Sequence, residues 1–519
     1  MNMWEGRNYV EGRFVQPSCE YYSNINPSTG NSLGNFPQSG EEVKEAVGIA
    51  KEALPEWRRK SRIERAEYFY KIAQIIERRR KEMATIISLE TGKNFNESIA
   101  EVNEALHMAQ YAFGSGRTMV GEVVASELAE KDCYMLRKPK GVIAIVSPFN
   151  FPIAIGPFWC AAPALVEGNV VILKPSEDAP MSSQIAAEIY HEAGVPKGVF
   201  NVIHGDGQTG DKLIRDPRVD HICFTGSAEV GQHVRKICAE SWHKTSSCEL
   251  GSKSAVIVFN DANLDLAVGA CIASAFKLSG QRCVSSGRMI VQREIFDEFL
   301  EKFVVSASNL KTGNPFKVVM CGEHGTPHPV LPSWDVLEAD DDIFYGPLIN
   351  QGAVDKVTAF NDLVLKDAES GKGTSLLLKG ERVDCPGLFM TPTVYTTEWA
   401  PGLEKPYIKM EVFGPHVAII PFDTKEDAAR IYNDTEYGLA VGIITENFKT
   451  ARYMRDECDY GMCYWNGGSI AAESHLAFGG VKKSGNGFPS AARTFQAVTH
   501  EVSWTVNHGD GLIFPQGMK

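Results

Sequence analysis

Beyond Gly141 the sequence settles into short β-rich runs separated by helix-length segments, recurring roughly every 20–28 residues. The runs are Val142–Val146, Val170–Leu173, Val199–Ile203, His221–Phe224, Lys244–Glu249 and Ser254–Val258. Strands at this spacing predict right-handed βαβ crossovers and a parallel sheet, so the expected fold class is α/β. Parallel sheets of this kind bind ligands outside the carboxyl ends of their strands, and functional residues are expected just after the runs. A second α/β pattern follows, with helices near 264–277, 294–308 and 351–370 and strands near 288–291, 417–421 and 440–445. Residues 311–345 show no period and read as a long loop, while Val498–Val506 alternates weakly, as a late strand would. Upstream, Val43, Ala46, Val47, Ala50, Leu54 and Trp57 share one helical face over 41–59, with Ser39 as the expected N-cap. A second amphipathic helix is expected from Ile63 to Arg80.

The segment Gly141–Val166 carries no charged residue and is long enough to span a bilayer. Pro148, Pro152, Pro157 and Pro163 cut it into short pieces, however, so a buried strand, an irregular loop and an interior helix are expected, and no membrane association. With 519 residues, 44% hydrophobic and 23% charged, the chain has globular proportions. At about 150 residues per domain, that length predicts two to four domains. A net charge of −13 leaves no positive footprint for nucleic acid. The one dense basic run, Arg78-Arg79-Arg80-Lys81, reads as cations at a helix C-terminus. Twelve cysteines without a CxxC spacing read as reduced thiols, and MNMWEGRNYVEGRF has no apolar core of a secretory signal. A cytoplasmic protein is expected.

Several positions after the runs carry chemistry. Gly205-Asp-Gly207-Gln-Thr-Gly210 fits GxGxxG, but the next strand ends in Phe224-Thr225-Gly226-Ser227 rather than in the acidic residue of the dinucleotide fingerprint. It reads better as a tight βα turn near a cofactor. At Gly226-Ser227 a strand meets a helix start, where free N–H groups and the dipole favour phosphate, although Ser227 serves equally as a plain helix cap. Lys174-Pro-Ser-Glu177 offers a lysine and a carboxylate for ribose hydroxyls, or is a solvated turn; a carboxylate on the ribose disfavours a 2′-phosphate and so favours NAD over NADP. Cys283, in Ser279-Gly-Gln-Arg-Cys283, follows a glycine-flexed turn with Arg282 beside it, a cation that favours the thiolate, yet most cysteines are inert core residues. Glu249 ends a strand, where a carboxylate either works or is paired, and the Asn150 amide can donate to an oxyanion or satisfy its Pro-rich loop. Cys321-x2-His324-x3-His328 has metal-ligand spacing but only three ligands in an irregular loop, so no metal is expected.

Taken together, SPFNFP, KPSE, FTGSAEVG, ELGSKSA, SGQRC, EVFGP (411–415) and FGGVKKSGNG (478–487) occur in the order found in the aldehyde dehydrogenase superfamily, which the chain resembles from about residue 8 to about residue 505. The resemblance implies an NAD(P)-binding domain at 1–120 and 141–251, a catalytic domain at 252–482, and a β oligomerisation flap at 121–140 and 496–510, assembled as a homodimer or homotetramer. It implies that Cys283 attacks the aldehyde to give a thiohemiacetal, that Asn150 and the Cys283 N–H hold the oxyanion, and that Glu249 activates the water that hydrolyses the thioester. Lys174, Ser176 and Glu177 match the adenosine-ribose side, Gly226 and Ser227 the pyrophosphate, and Glu411 and Phe413 the nicotinamide ribose. Val146, Pro148, Gly207 and Gly231 complete the implied cofactor contacts.

The resemblance extends to the substrate pocket, where Phe149, Phe158 and Trp159 are expected as apolar walls and Arg282 and Ser285 as polar anchors, so a hydrophobic aldehyde and a semialdehyde are both open. Relatives that acylate coenzyme A commonly lack a carboxylate at the Glu249 position, so hydrolysis to the acid is favoured. The alternatives are a CoA-acylating enzyme or a non-catalytic relative. Three features depart from the family pattern: Phe488-Pro489 stand where many members have Arg-Glu, Ser252 replaces a glycine, and the 311–345 loop is longer than usual.

Overall fold

The expected crossovers form two parallel sheets set end to end. The structure is a computed structural model that describes residues 4–317, 337–511 and 514. In the first sheet the strands β1 (Val142–Val146), β2 (Val170–Lys174), β3 (Phe200–Val202), β4 (His221–Thr225) and β5 (Thr245–Glu249) lie in the order β5-β4-β1-β2-β3. All of these pairings are parallel. The chain runs outward from β1 to β3, then returns to the other side for β4 and β5. This reversal leaves a crevice between the carboxyl ends of β1 and β4, the topological switch point at which doubly wound sheets take their ligands. The antiparallel segment Gly485–Asn486 closes the β5 edge, pairing Cys248 with Asn486 and Glu249 with Gly485.

The second sheet contains β6 (Ser254–Val258), β7 (Ser286–Gln292), β8 (Thr374–Leu378), β9 (Thr393–Thr397), β10 (His416–Phe422), β11 (Ala440–Ile444) and β12 (Met462–Trp465), in the order β8-β9-β10-β7-β6-β11-β12. Only the β8–β9 pairing among these is antiparallel. Residues Leu250–Lys253 alone separate β5 from β6. The carboxyl ends of the first sheet therefore face the amino ends of the second. β6, β10 and β11 are rich in Val, Ile and Ala because both faces are covered.

A third sheet joins Gly121–Val124, Lys131–Pro139 and Thr499–Asn507, mostly exposed, with Val123 80% and Trp504 56% accessible. Its strands lie within the segments 121–140 and 496–510 where the flap is expected. The helix expected from residue 41 runs over Glu42–Arg59 (α1), but Ser39 does not cap it: its Oγ accepts from Asn8 Nδ2 at 2.8 Å instead. The helix expected from Ile63 to Arg80 is two, α2 (Arg62–Arg78) and α3 (Arg80–Thr91). The basic run sits at their junction, where Arg79 pairs with Glu82 and Glu188 at 2.8 and 2.6 Å. α4 spans Phe95–Ser115. The charge-free segment becomes β1, a wide π turn at Ala154–Cys160 and a short helix at Ala161–Val166, all buried as its prolines imply. Among the described residues no helix is long and apolar enough to cross a membrane. Cys321, His324 and His328 lie outside the described residues.

Candidate active site

Pairing registers align the carboxyl ends of the first sheet: Val146 opposite Lys174, Phe224 opposite Val146, Thr225 opposite Glu249. Lys174 is buried and its Nζ meets Glu177 Oε2 at 3.1 Å, while Glu177 reaches toward solvent. Ser176 Oγ accepts from Asp178 N, shaping that turn. Ser227 caps the helix Ala228–Ala239 through Val230 N at 3.3 Å, and Gly226 N donates to Glu249 O at 3.0 Å. GxGxxG is a tight βα turn, as expected: Asp206 caps the helix that starts at Gly207, and a side chain at Gly205 would strike Thr209.

These features fit a dinucleotide. The switch-point crevice ends at a helix N-terminus, whose dipole favours phosphate, a lysine–carboxylate pair stands at the end of β2 beside β1, and nothing lies within 4 Å of the position a Cβ would take at Gly207. On the opposite side Glu411 Oε1 accepts from Ser252 N at 2.8 Å. Phe413, at φ 61°, turns its ring edge-on to Phe149 at 6.1 Å. Pro148 stands with Phe149 in the turn that follows β1, and Gly231 is packed against Leu250.

The turn before Cys283 is backbone-strained. Leu278, Ser279 and Gly280 take φ of 52°, 55° and 72°, and left-handed residues other than glycine each cost about 1–3 kcal/mol. Side chains hold it in place. Ser279 Oγ donates to Gly346 O at 2.6 Å, and Gln281 Oε1 accepts from Ile349 N at 3.0 Å. A Cβ on Gly280 would lie 2.2 Å from Gly414 O, so only glycine fits. Cys283 keeps a partly open face. Its thiol is pushed up to about 12, chiefly by burial, then by the nearby Glu249 and Glu411 charges; Arg282 opposes this only weakly. Arg282 thus acts on the thiol in the expected direction, but burial and the two carboxylates outweigh it. Arg282 spends its charge on Glu97, and its guanidinium lies 5.3 Å from the Phe151 ring centroid.

Glu249 is 2% exposed, and among the described residues neither carboxylate oxygen has a hydrogen-bond partner. Burial drives its pKa well above the usual carboxylate range. Its surroundings are apolar or backbone: a Cβ at Gly479 would meet Oε1 at 2.6 Å and the Phe488 ring at 2.2 Å. At the Phe488-Pro489 departure, Pro489 offers only a carbonyl, which takes the Cys160 thiol at 3.2 Å. The Asn150 amide is buried and donates to Gln281 O at 2.8 Å, linking its turn to that of Cys283. An amide nitrogen carries two hydrogens, so one remains for a substrate oxygen.

Of the residues expected to line a substrate pocket, Phe158 is core, stacked on Tyr190 at 5.8 Å, and drops out of the wall. Trp159 packs on Phe478 at 5.4 Å with its Nε1 unpartnered. Ser285 Oγ is buried and unpartnered beside a cavity of about 20 Å³, room for one water, also lined by Ser252, Lys253, Glu411 and His416. Phe151 and Tyr464 pack, as Cys283 does, against the large core and are absent from the residues expected from sequence. So are Lys93, Glu97 and Glu101, although Glu97, Glu101 and Glu104 at i, i+4 and i+7 on one face of a helix were a visible signal. Glu104 rises to about 7, through burial and then Glu101.

A sequence profile described as "Aldehyde dehydrogenase family" matches residues 14–503. The chain is 32% identical over 489 residues to an alpha-ketoglutaric semialdehyde dehydrogenase of Bacillus subtilis (strain 168), covering 92% of this chain and 93% of that protein. It is 33% identical over 464 residues to a mitochondrial succinate-semialdehyde dehydrogenase of Oryza sativa subsp. japonica, covering 89% and 82%. The fold superposes on betaine aldehyde dehydrogenase from Staphylococcus aureus in complex with NAD+ with a TM-score of 0.87, at 26% identity and 98% and 96% coverage. For an NAD-dependent aldehyde dehydrogenase from Sinorhizobium meliloti the TM-score is 0.88, at 30% identity, again covering 98% and 96%. The switch-point crevice, the strained cysteine turn and these matches over nearly the whole chain agree: the chain belongs to the aldehyde dehydrogenase family.

Proposed function

We propose that this enzyme oxidises an aldehyde, with carboxylated semialdehydes as the leading class, to the carboxylic acid with NAD as acceptor. The observation that carries this reading is the meeting of Cys283, Asn150 and Glu249 where the carboxyl ends of the first sheet face the amino ends of the second. The semialdehyde class is supported by the relatives from Bacillus subtilis and Oryza sativa, both semialdehyde dehydrogenases. Lys174, Ser176 and Glu177 would hold the adenosine ribose, Gly226 and Ser227 the pyrophosphate, and Glu411 with Phe413 the nicotinamide ribose. Glu177 disfavours a 2′-phosphate. When bound, the nicotinamide supplies the two-electron acceptor for the aldehyde carbon.

The chain's own groups do the rest. Cys283 Sγ, once deprotonated, adds to the carbonyl carbon and forms a thiohemiacetal. The free Asn150 Nδ2–H and the Cys283 N–H donate to its oxyanion; losing one such donor costs about 3–4 kcal/mol. The acyl group, oxidised to a thioester, stays on Sγ until water attacks it. Glu249 takes the proton of that water, and its apolar cage makes it a strong base when ionised. The exposed third sheet, with Val123 and Trp504 outward, supports assembly of two or four copies, which light scattering would measure.

Initial rates of reduced-cofactor formation test the function. NAD and NADP are compared across aliphatic, aromatic and carboxylated aldehydes, each with and without coenzyme A. Turnover with NAD, without coenzyme A and fastest on semialdehydes is expected. A strict requirement for coenzyme A would replace hydrolysis with acyl transfer.

A further inference from the structure

Beneath the Asn150 turn lies a pair of charges that the mechanism above leaves unused. Gly92, at φ 69°, ends α3 and turns the chain inward, so that Lys93 enters the core. Lys93 and Glu101 of α4 are both 0% exposed and meet at 2.5 Å. Lys93 Nζ also donates to Asn150 O at 2.8 Å and lies 3.9 Å from the Phe151 ring centroid. The other carboxylate oxygen of Glu101 accepts from Ile153 N at 2.8 Å and Ala154 N at 3.1 Å. Two side chains therefore hold three backbone groups of one five-residue turn. One helical turn earlier, Glu97 accepts from Arg282 and from Leu278 N at 3.3 Å, so the same face of α4 grips the turn of the nucleophile.

Burying two charges costs free energy that an apolar pair of the same volume does not, so stability alone gives little reason for them. What they add is direction: charge-assisted bonds to named backbone atoms. Oxyanion donors need that direction, because they act only when fixed at the place where charge develops. We infer that Lys93 and Glu101 are positioning residues, which aim the Asn150 amide at the substrate oxygen without touching substrate. The inference rests on the proposed role of Asn150 as oxyanion donor.

A double-mutant cycle tests it on the full chain. Lys93→Met/Glu101→Leu removes both charges at similar volume, and Asn150→Ala removes the donor. The charge-free variant should lose roughly ten- to a hundredfold in kcat with the aldehyde, the scale of a misplaced reacting group. Its NAD affinity and the rate at which iodoacetamide alkylates Cys283 should match the wild type. In the Asn150→Ala background the same charge removal should cost nothing further, and Lys93→Arg should recover most of the rate. Wild-type turnover of the charge-free variant, or a loss that multiplies that of Asn150→Ala, overturns the positioning role alone. Wild-type turnover of Asn150→Ala overturns the donor reading and this inference with it. Should the charge-free variant not fold, Glu101→Gln, which loosens the hold on Lys93 while keeping a carbonyl acceptor, enters the same cycle and is judged by the same outcomes.

Discussion

The two parallel sheets contribute to the site from opposite ends. The first brings the carboxyl ends of its strands, where Lys174, Val146 and Phe224 are in register and Thr225 and Glu249 pair one residue beyond. The second brings amino ends: Ser254 opens β6, Ser286 opens β7 just after Cys283, and His416 opens β10 just after Glu411 and Phe413. At its far, carboxyl ends the second sheet is closed by side-chain bonds: Asn260 N donates to Gln292 Oε1 and Thr445 Oγ1 donates to Asp261 Oδ1. The carboxyl-end rule for parallel sheets thus describes one half of the molecule only. A sheet abutting another end to end can serve the same crevice backwards.

If this division is functional, the first sheet should mainly govern cofactor affinity and the second the bond-making step. Cys283→Ala should abolish turnover while NAD binding, followed by calorimetry, stays within about twofold, since a lost nucleophile removes the chemical step alone. Equal loss of binding would dissolve the division. Glu249 crosses it, as a first-sheet residue to which the proposed mechanism gives chemistry. In Glu249→Gln the steady-state rate should fall roughly 10²–10⁴-fold while the first turnover, seen as a burst, persists. A burst lost together with the steady state would put Glu249 in the first step instead.

Both acids have pKa values raised by burial, so their active, deprotonated forms gain population only as pH climbs. kcat/KM should therefore increase from neutral toward alkaline pH and fall on acidification. A flat profile would show that the bound site relieves that burial. Glu177→Gln should raise the KM for NAD by roughly tenfold, about one hydrogen bond to a charged group, leave kcat alone and narrow the preference over NADP. The smallest effect is expected at Ser252, whose Oγ donates to Cys283 O while its backbone N serves Glu411. Ser252→Gly should lower kcat only about two- to fivefold, the worth of one neutral hydrogen bond. No change in stopped-flow rates would make that serine a spectator.

What the sequence could reveal divides along the same line. β1 and β6 have the expected boundaries, because an apolar run bounded by Gly, Pro or Ser defines a buried strand by itself. Ser39 failed as a cap because Asn8, distant in sequence, claims its hydroxyl. Ile63–Arg80 failed as one helix because apolar periodicity continues across the Arg79 junction while the chain bends there. Cys283, Glu249 and Asn150, the residues of the proposed mechanism, stand out only through motifs in sequence order; nothing local to Cys283 announces a thiol held protonated by burial, nor an Arg282 already committed to Glu97. Lys93 was invisible for the opposite reason. A lysine after a helix-ending Gly92 looks like a solvated turn until tertiary structure closes over it.

The short pairing of Gly485–Asn486 with β5 has a consequence for how the protein comes into being. During synthesis β5 is made more than two hundred residues before the segment that completes its edge, and Glu249 sits at that edge. The cofactor half can collapse early around its crossovers, but the strand bearing the base remains an open template until the last part of the second half arrives. A nascent or truncated chain would hold the nucleophile and the crevice and still lack a finished base. On the proposed mechanism such a chain would still take up an aldehyde and carry it to the thioester, since Glu249 acts only on the water. It would then hold that thioester, so closure of the β5 edge sets the point from which product is released.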